Sequence, residues 1–261
     1  EAAEPANRLK GRRARNSSRA AARVTAVMNQ EDREAARTGD LAHLEGRAAA
    51  AQLHEVACHA KDEDGRSLLH IACAGGNLQV VQLIADQGGK ATVNGSDDEG
   101  WTPLMSAISA GREAIAEYLL GLGADVSASN SGGQTALHYA ASKGHIACLR
   151  LLVRAGAASN CKDHHGNTPL HRAASAGKAE AARVLLEEGK AKLEDVDRRG
   201  QTPLFVAVES GNQRVALYLA AKGAKLDTAN KDEETPLTIA DPEMRKALVN
   251  AAASGLDAEE A

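Results

Sequence analysis

An all-α repeat solenoid is the fold class predicted for this 261-residue chain, and three observations carry the prediction. First, the segment Thr-Pro-Leu or a close variant returns at Ser67, Thr102, Thr135, Thr168, Thr202 and Thr235, in steps of 33 to 35 residues. Second, one glycine follows nine residues after each of the first five (Gly76, Gly111, Gly144, Gly177, Gly211), and another precedes each by two (Gly65, Gly100, Gly133, Gly166, Gly200). Third, apolar residues between the glycines recur at helical spacing, as in Val80, Val81, Leu83 and Ile84 or Cys148, Leu149, Leu151, Leu152 and Val153. A fixed period of this length marks a stack of short helical units that share one core.

Each element of a unit follows from its register. The Thr is the N-cap of a first helix, and Pro stands at its first turn, where a missing N–H costs nothing. The glycine nine residues on ends that helix, since a left-handed turn costs Gly no Cβ clash. The glycines at Gly88, Gly123, Gly156, Gly189 and Gly223 end a second helix, and those before the Thr make the tight turn of a hairpin finger. The frequent Ala of the first helix (Ala140 and Ala141, Ala173 and Ala174) lets neighbouring helices approach closely. Together with the T-P-L-H-x-A core, this pattern resembles ankyrin repeats, which implies helix-turn-helix units with β-hairpin fingers.

Seven units are expected. A degenerate first one spans 28–61, and five full ones follow at 62–97, 98–130, 131–163, 164–196 and 197–230. The last, 231–252, departs from the pattern at Asp241-Pro242, as terminal units do when one face must meet water. The extra residues of the two longer steps fall after Gly88 and Gly189, in loops that tolerate them. The repeat domain is thus predicted at 28–252, with a disordered acidic tail at 253–261. Residues 1–27 stand outside the array and are read as a disordered basic extension. Two other readings stay open: an organellar transit peptide, because residues 6–27 hold no acid, or an over-extended start with Met28 as the true first residue.

Charge and composition narrow the function. Residues 1–30 hold seven basic groups and two acidic ones, so a chain of net charge −4 leaves a clearly acidic repeat body. That body, with one Trp, one Phe and three Tyr, offers nucleic acid neither a cationic surface nor a stacking platform. Cys58, Cys73, Cys148 and Cys161 form no C-x-x-C pair and read as reduced structural thiols of a cytoplasmic and nuclear protein. No apolar run reaches the roughly 18 residues that span a bilayer. The G-K pairs at Gly89-Lys90, Gly177-Lys178 and Gly189-Lys190 lack the rest of a phosphate loop. His70, His138 and His171 share one register and are expected to bond neighbouring hairpin backbone. His164-His165 has no partner Cys or carboxylates at metal-ligand spacing. No catalytic residue, metal or cofactor is expected, and a monomeric protein-binding molecule is.

Specificity then falls on positions that folding does not use, the residue before each Thr and the polar end of each first helix. Trp101, the one Trp, lies on a finger, and with Arg66 it is of a type enriched at interface anchors. The finger tips differ in sign: Asp62-Glu63-Asp64 and Asp97-Asp98-Glu99 are acidic, Arg198-Arg199 is basic.

The segments Asp97-Asp98-Glu99-Gly100-Trp101-Thr102-Pro103-Leu104, Leu137-His138-Tyr139-Ala140-Ala141-Ser142-Lys143 and Asn230-Lys231-Asp232-Glu233-Glu234 carry a closer likeness. Over about 31–252 the chain resembles the gankyrin family, ankyrin-repeat chaperones of the proteasome regulatory particle. The resemblance implies a non-enzymatic assembly chaperone that holds the C-terminal domain of one ATPase subunit in its groove. It also implies Arg66 and Lys143 as contacts to acidic partner residues, and Asp64 and Asp98 as contacts to basic ones. The same resemblance implies Trp101, Arg112 and Tyr139 as the rest of the contact. The family's L-x-C-x-E motif is replaced here by Val206-Ala207-Val208-Glu209-Ser210, so the retinoblastoma binding linked to it is not expected. The alternative is a generic ankyrin adaptor for a kinase, a transcription factor or a ubiquitin ligase.

Overall fold

The computed structural model describes residues 28–49 and 52–255; the basic extension at 1–27 and residues 256–261 lie outside the described residues. Among the described residues every extended regular element is a helix. Three short helices, α1 (Gln30–Thr38), α2 (Leu41–Ala49) and α3 (Leu53–His59), build the first unit, one more than the helix pair expected there. Five helix pairs follow: α4 (Leu68–Gly75) with α5 (Leu78–Asp86), α6 (Pro103–Ser109) with α7 (Glu113–Gly121), α8 (Ala136–Lys143) with α9 (Ile146–Arg154), α10 (Pro169–Ser175) with α11 (Ala179–Glu187), and α12 (Pro203–Glu209) with α13 (Gln213–Ala221). The last unit holds α14 (Pro236–Ile239) and α15 (Pro242–Ser254). Asp241 restarts the chain as a helix by accepting from the Met244 N–H at 2.7 Å, so the last helix runs past the predicted end of the array at 252.

First helices stack on first helices and second on second, giving two layers. The inner layer is α4, α6, α8, α10 and α12, and two registers explain it. Leu69, Leu104, Leu137, Leu170 and Leu204 are at most 1 % exposed. Each contributes about 1.5–3 kcal/mol by leaving water. Ala72, Ala107, Ala140, Ala173 and Ala207, all fully buried, keep the helices close. The caps are as expected: the Thr102, Thr168, Thr202 and Thr235 hydroxyls accept from the N–H three residues on.

The three histidines of the shared register latch one unit to the next. The Nδ1 of His70 accepts from the Ser67 N–H at 3.2 Å, and its Nε2–H donates to the Trp101 carbonyl at 2.9 Å. His138 reaches the Asn167 carbonyl and His171 the Gln201 carbonyl, each at 3.0 Å. Met105 and Phe205 hold the same register and make no such bond. Burial pushes all three imidazoles below the ordinary histidine range, against the pull of the carbonyls that accept from them. They are therefore neutral in the fold. Below about pH 6.5 the unfolded chain takes up protons that these rings refuse, so stability is full above that pH and falls on acidification. A urea midpoint followed from about pH 7 to about pH 5 should drop, and His138→Met should flatten the drop.

The left-handed positions follow the sequence with two departures. Gly189 is not left-handed; its successor Lys190 takes φ 54°, absorbing the extra residue of that unit. In the last finger Glu233 stands where the others have Gly and takes φ 62°, a conformation costing a non-glycine residue about 1–2 kcal/mol.

Candidate functional site

The fingers are turns rather than strands. Among the described residues only the isolated bridges Lys61–Ser67 and Ser129–Thr135 remain of the expected β-hairpins. An Asp or Asn five residues before each Thr closes every finger. Asp97 Oδ1 accepts from the N–H groups of Glu99 and Trp101 at 3.0 and 2.7 Å, and Asp163 Oδ1 from those of His165 and Asn167, both at 2.9 Å. Asp62, Asn130, Asp197 and Asn230 do the same. This Asx register was present in the sequence, where Asp62 and Asp97 read only as surface charge.

The fingers are also bonded to one another through the main chain. Asp98 N donates to the Asp64 carbonyl, Ser131 N to Glu99, His164 N to Gly132, Arg198 N to His165 and Lys231 N to Arg199, at 2.9–3.1 Å. The tips thus form one row along the edge of a groove floored by the inner helices.

At its N-terminal end the groove widens into an open cavity of about 930 Å³. Asp64, Arg66 and Trp101 line it, together with Arg33, Glu34 and Arg37 of the first unit. Those three charged residues were missed in the sequence because the degenerate unit has no Thr register to align them by. Trp101 packs on Tyr139 of the following unit, ring centroids 4.4 Å apart and planes tilted by 42°. Such a pair is worth about 0.5–1.5 kcal/mol beyond its buried area. The Tyr139 hydroxyl donates to Gln134 Oε1 at 2.6 Å and accepts from Asn130 Nδ2 at 2.9 Å, while burial pushes its phenol up. Lys143 stands exposed four residues beyond Tyr139, one turn along the same face of α8, and makes no ion pair among the described residues.

The acidic and basic contacts expected of Arg66 and Asp64 are first made with each other. The Arg66 guanidinium lies 2.9 Å from Asp62 and 2.8 Å from Asp64. Burial works to raise the Asp62 carboxyl, and Arg66's backbone and side-chain bonds outweigh it, holding the group below the usual carboxylate range. Asp64 is 67 % exposed, so its half of the network is a weak surface pair that an incoming carboxylate can replace. Asp98 sits at the neighbouring tip, packed over Gly65. Arg112 is the residue set apart. It precedes α7, and its guanidinium lies over Gly76, at the end of the inner helices opposite the fingers. Asp64, Arg66, Asp98 and Trp101 thus stand in the finger row and Tyr139 beside it, while Lys143, the last residue of α8, lies toward the far end of the inner helices that Arg112 marks.

Cys161 and His138 are not arranged as a nucleophile and its base. Cys161 lies 3.9 Å from His138 Nδ1, but that nitrogen already accepts from the Thr135 N–H and burial pushes the thiol up. Among the described residues no three His, Cys, Asp or Glu side chains are grouped to hold a metal. No helix among them is long and apolar enough to cross a membrane.

Comparisons with known proteins agree with this architecture. The family described as "Ankyrin repeats (3 copies)" matches residues 41–130 and 125–197, and "Ankyrin repeat" matches 199–231. The chain is 47 % identical over 70 residues to the 26S proteasome non-ATPase regulatory subunit 10 of Dictyostelium discoideum, covering 27 % of this chain and 30 % of that protein. It is 46 % identical over 61 residues to the human protein phosphatase 1 regulatory subunit 27, covering 23 % of this chain and 38 % of that protein. The matches thus span about a third of these relatives. Among solved structures, the human ASB11 ankyrin repeat domain aligns with a TM-score of 0.74 at 28 % identity, covering 85 % of this chain and 98 % of that one.

Proposed function

We propose, from the premise that this chain belongs to the ankyrin-repeat family, that it is a non-enzymatic assembly chaperone of the proteasome regulatory particle. In this reading a monomer in cytoplasm and nucleus holds the C-terminal domain of one ATPase subunit in its groove. The observation that carries it is the aromatic pair Trp101–Tyr139 beside an open cavity, with Arg66 and Asp64 on one side and Lys143 one turn along the other. Trp, Tyr and Arg are the residue types enriched at interface hot spots. Likeness to a relative named as a proteasome regulatory subunit supports the same partner class. Opposite charges facing a mixed-charge partner would set orientation and association rate.

Capture of the full chain with its bound proteins from lysate, read by mass spectrometry, tests the reading. The expected result is one regulatory-particle ATPase with free base subunits and little complete proteasome. With that ATPase domain in hand, Trp101→Ala should weaken binding by about 2–4 kcal/mol while leaving the helical signal intact. Equal affinity in the variant would remove Trp101 from the interface. A second reading, an adaptor for a different protein, draws on the near-equal match to a phosphatase regulatory subunit. It predicts a phosphatase or another dominant partner in the same capture.

A further inference from the structure

The row of finger tips carries an order of charge that the aromatic cavity does not explain. The two residues at the head of each tip are Glu63–Asp64, Asp98–Glu99, Ser131–Gly132, His164–His165, Arg198–Arg199 and Lys231–Asp232. Two acidic tips come first, then two without fixed charge, then a doubly basic one. Five main-chain bonds hold these tips side by side, so the order is a property of a rigid edge and not of loose loops. The charges are largely presented to solvent. Glu63 is 92 % exposed and lies 3.8 Å from the Arg33 guanidinium. Arg199 is 58 % exposed with Glu209 at 3.5 Å, and Arg198 is exposed without an ion pair among the described residues. The last finger returns to negative charge through Asp232, Glu233 and Glu234, which isolates the basic tip between a neutral neighbour and an acidic one. Neighbouring inner helices stand about 8–10 Å apart, close to the screening length in physiological salt, so each tip keeps its own sign.

We infer that the finger row is a charge-ordered docking edge with a second contact point at Arg198–Arg199. A protein bound in the groove lays cationic side chains over Glu63–Asp64 and Asp98–Glu99 and anionic ones over Arg198–Arg199, three fingers away from Trp101. The reverse placement meets like charge at both ends, so the edge fixes the direction in which the partner lies. This rests on the groove-binding reading above and adds the chemistry of the bound segment to it.

The test needs no natural partner. The full chain, isotope-labelled for amide NMR at low ionic strength, is titrated with octalysine and separately with octaglutamate. Octalysine should move the amides of 62–66 and 97–101. Octaglutamate should move those of 197–201, apart from any shifts at the basic residues of 8–23, and both footprints should fade as salt is added. The double variant R198E/R199E alters exposed side chains only. It should lower octaglutamate affinity at 197–201 by about tenfold and give octalysine a new footprint there. Octaglutamate leaving 197–201 unmoved, or both peptides moving the same fingers, would overturn the inference. Failure here leaves the groove reading standing, whereas failure to capture a regulatory-particle ATPase would leave these footprints in place.

Discussion

Asp163→Ala should cost the array about 3–5 kcal/mol, because it removes the buried carboxylate of a part-buried ion pair together with the closure of a finger. Asp163 is 5 % exposed. Its Oδ1 holds the His165 and Asn167 N–H groups, and its Oδ2 takes the Arg172 guanidinium, with Nε at 3.1 Å. Burial works to raise this carboxyl, but Arg172 and the two N–H groups outweigh it and hold it below the usual carboxylate range. Alanine leaves two part-buried N–H donors and one part-buried cation unpaired at once. Asp163→Asn separates the two roles. Asn130 and Asn230 close their fingers with the same two bonds, so the amide should keep the turn and lose only the charge. Equilibrium urea unfolding of both variants checks this. Equal losses would mean that the Arg172 pair contributes the whole effect, and a small loss in the alanine variant would remove Asp163 as a keystone.

Phe205→Ala is expected to destabilise by a similar amount, about 3–5 kcal/mol, by a different route. Phe205 is 1 % exposed and occupies the register that His70, His138 and His171 use to reach the next finger. It makes no such bond, so its contribution is volume, and alanine leaves a void near the thin terminal unit with its four-residue α14. Phe205→His should be the milder change, since the register accepts an imidazole elsewhere. Thermal melts of the pair decide it. A histidine variant as damaged as the alanine one would show that this site has shaped itself around a benzene ring.

Much of this was legible in the sequence because repetition turns single residues into columns. The caps at Thr102 and Thr168, the turn glycines and the carbonyl-seeking histidines each appear at a fixed offset, and the offset implies the bond. The Asx column was equally visible, but acidic residues at a tip also satisfy a reading as plain surface charge. What no column reveals is which neighbour a long side chain chooses. Arg66 turns back onto Asp62 and Asp64, and Arg112 lies over Gly76 of the preceding unit, because each choice depends on atoms about a repeat away. The third helix of the first unit was hidden for a related reason: an Ala-rich run with no finger has nothing to align against.

The joints between fingers run from the amide of one tip residue to the carbonyl of another, so backbone alone makes them. Side chains at those places carry little structural duty. A lineage can therefore rewrite Glu63, Asp98 or Arg198 one codon at a time, trading one client for another, while the scaffold that displays them is inherited unchanged.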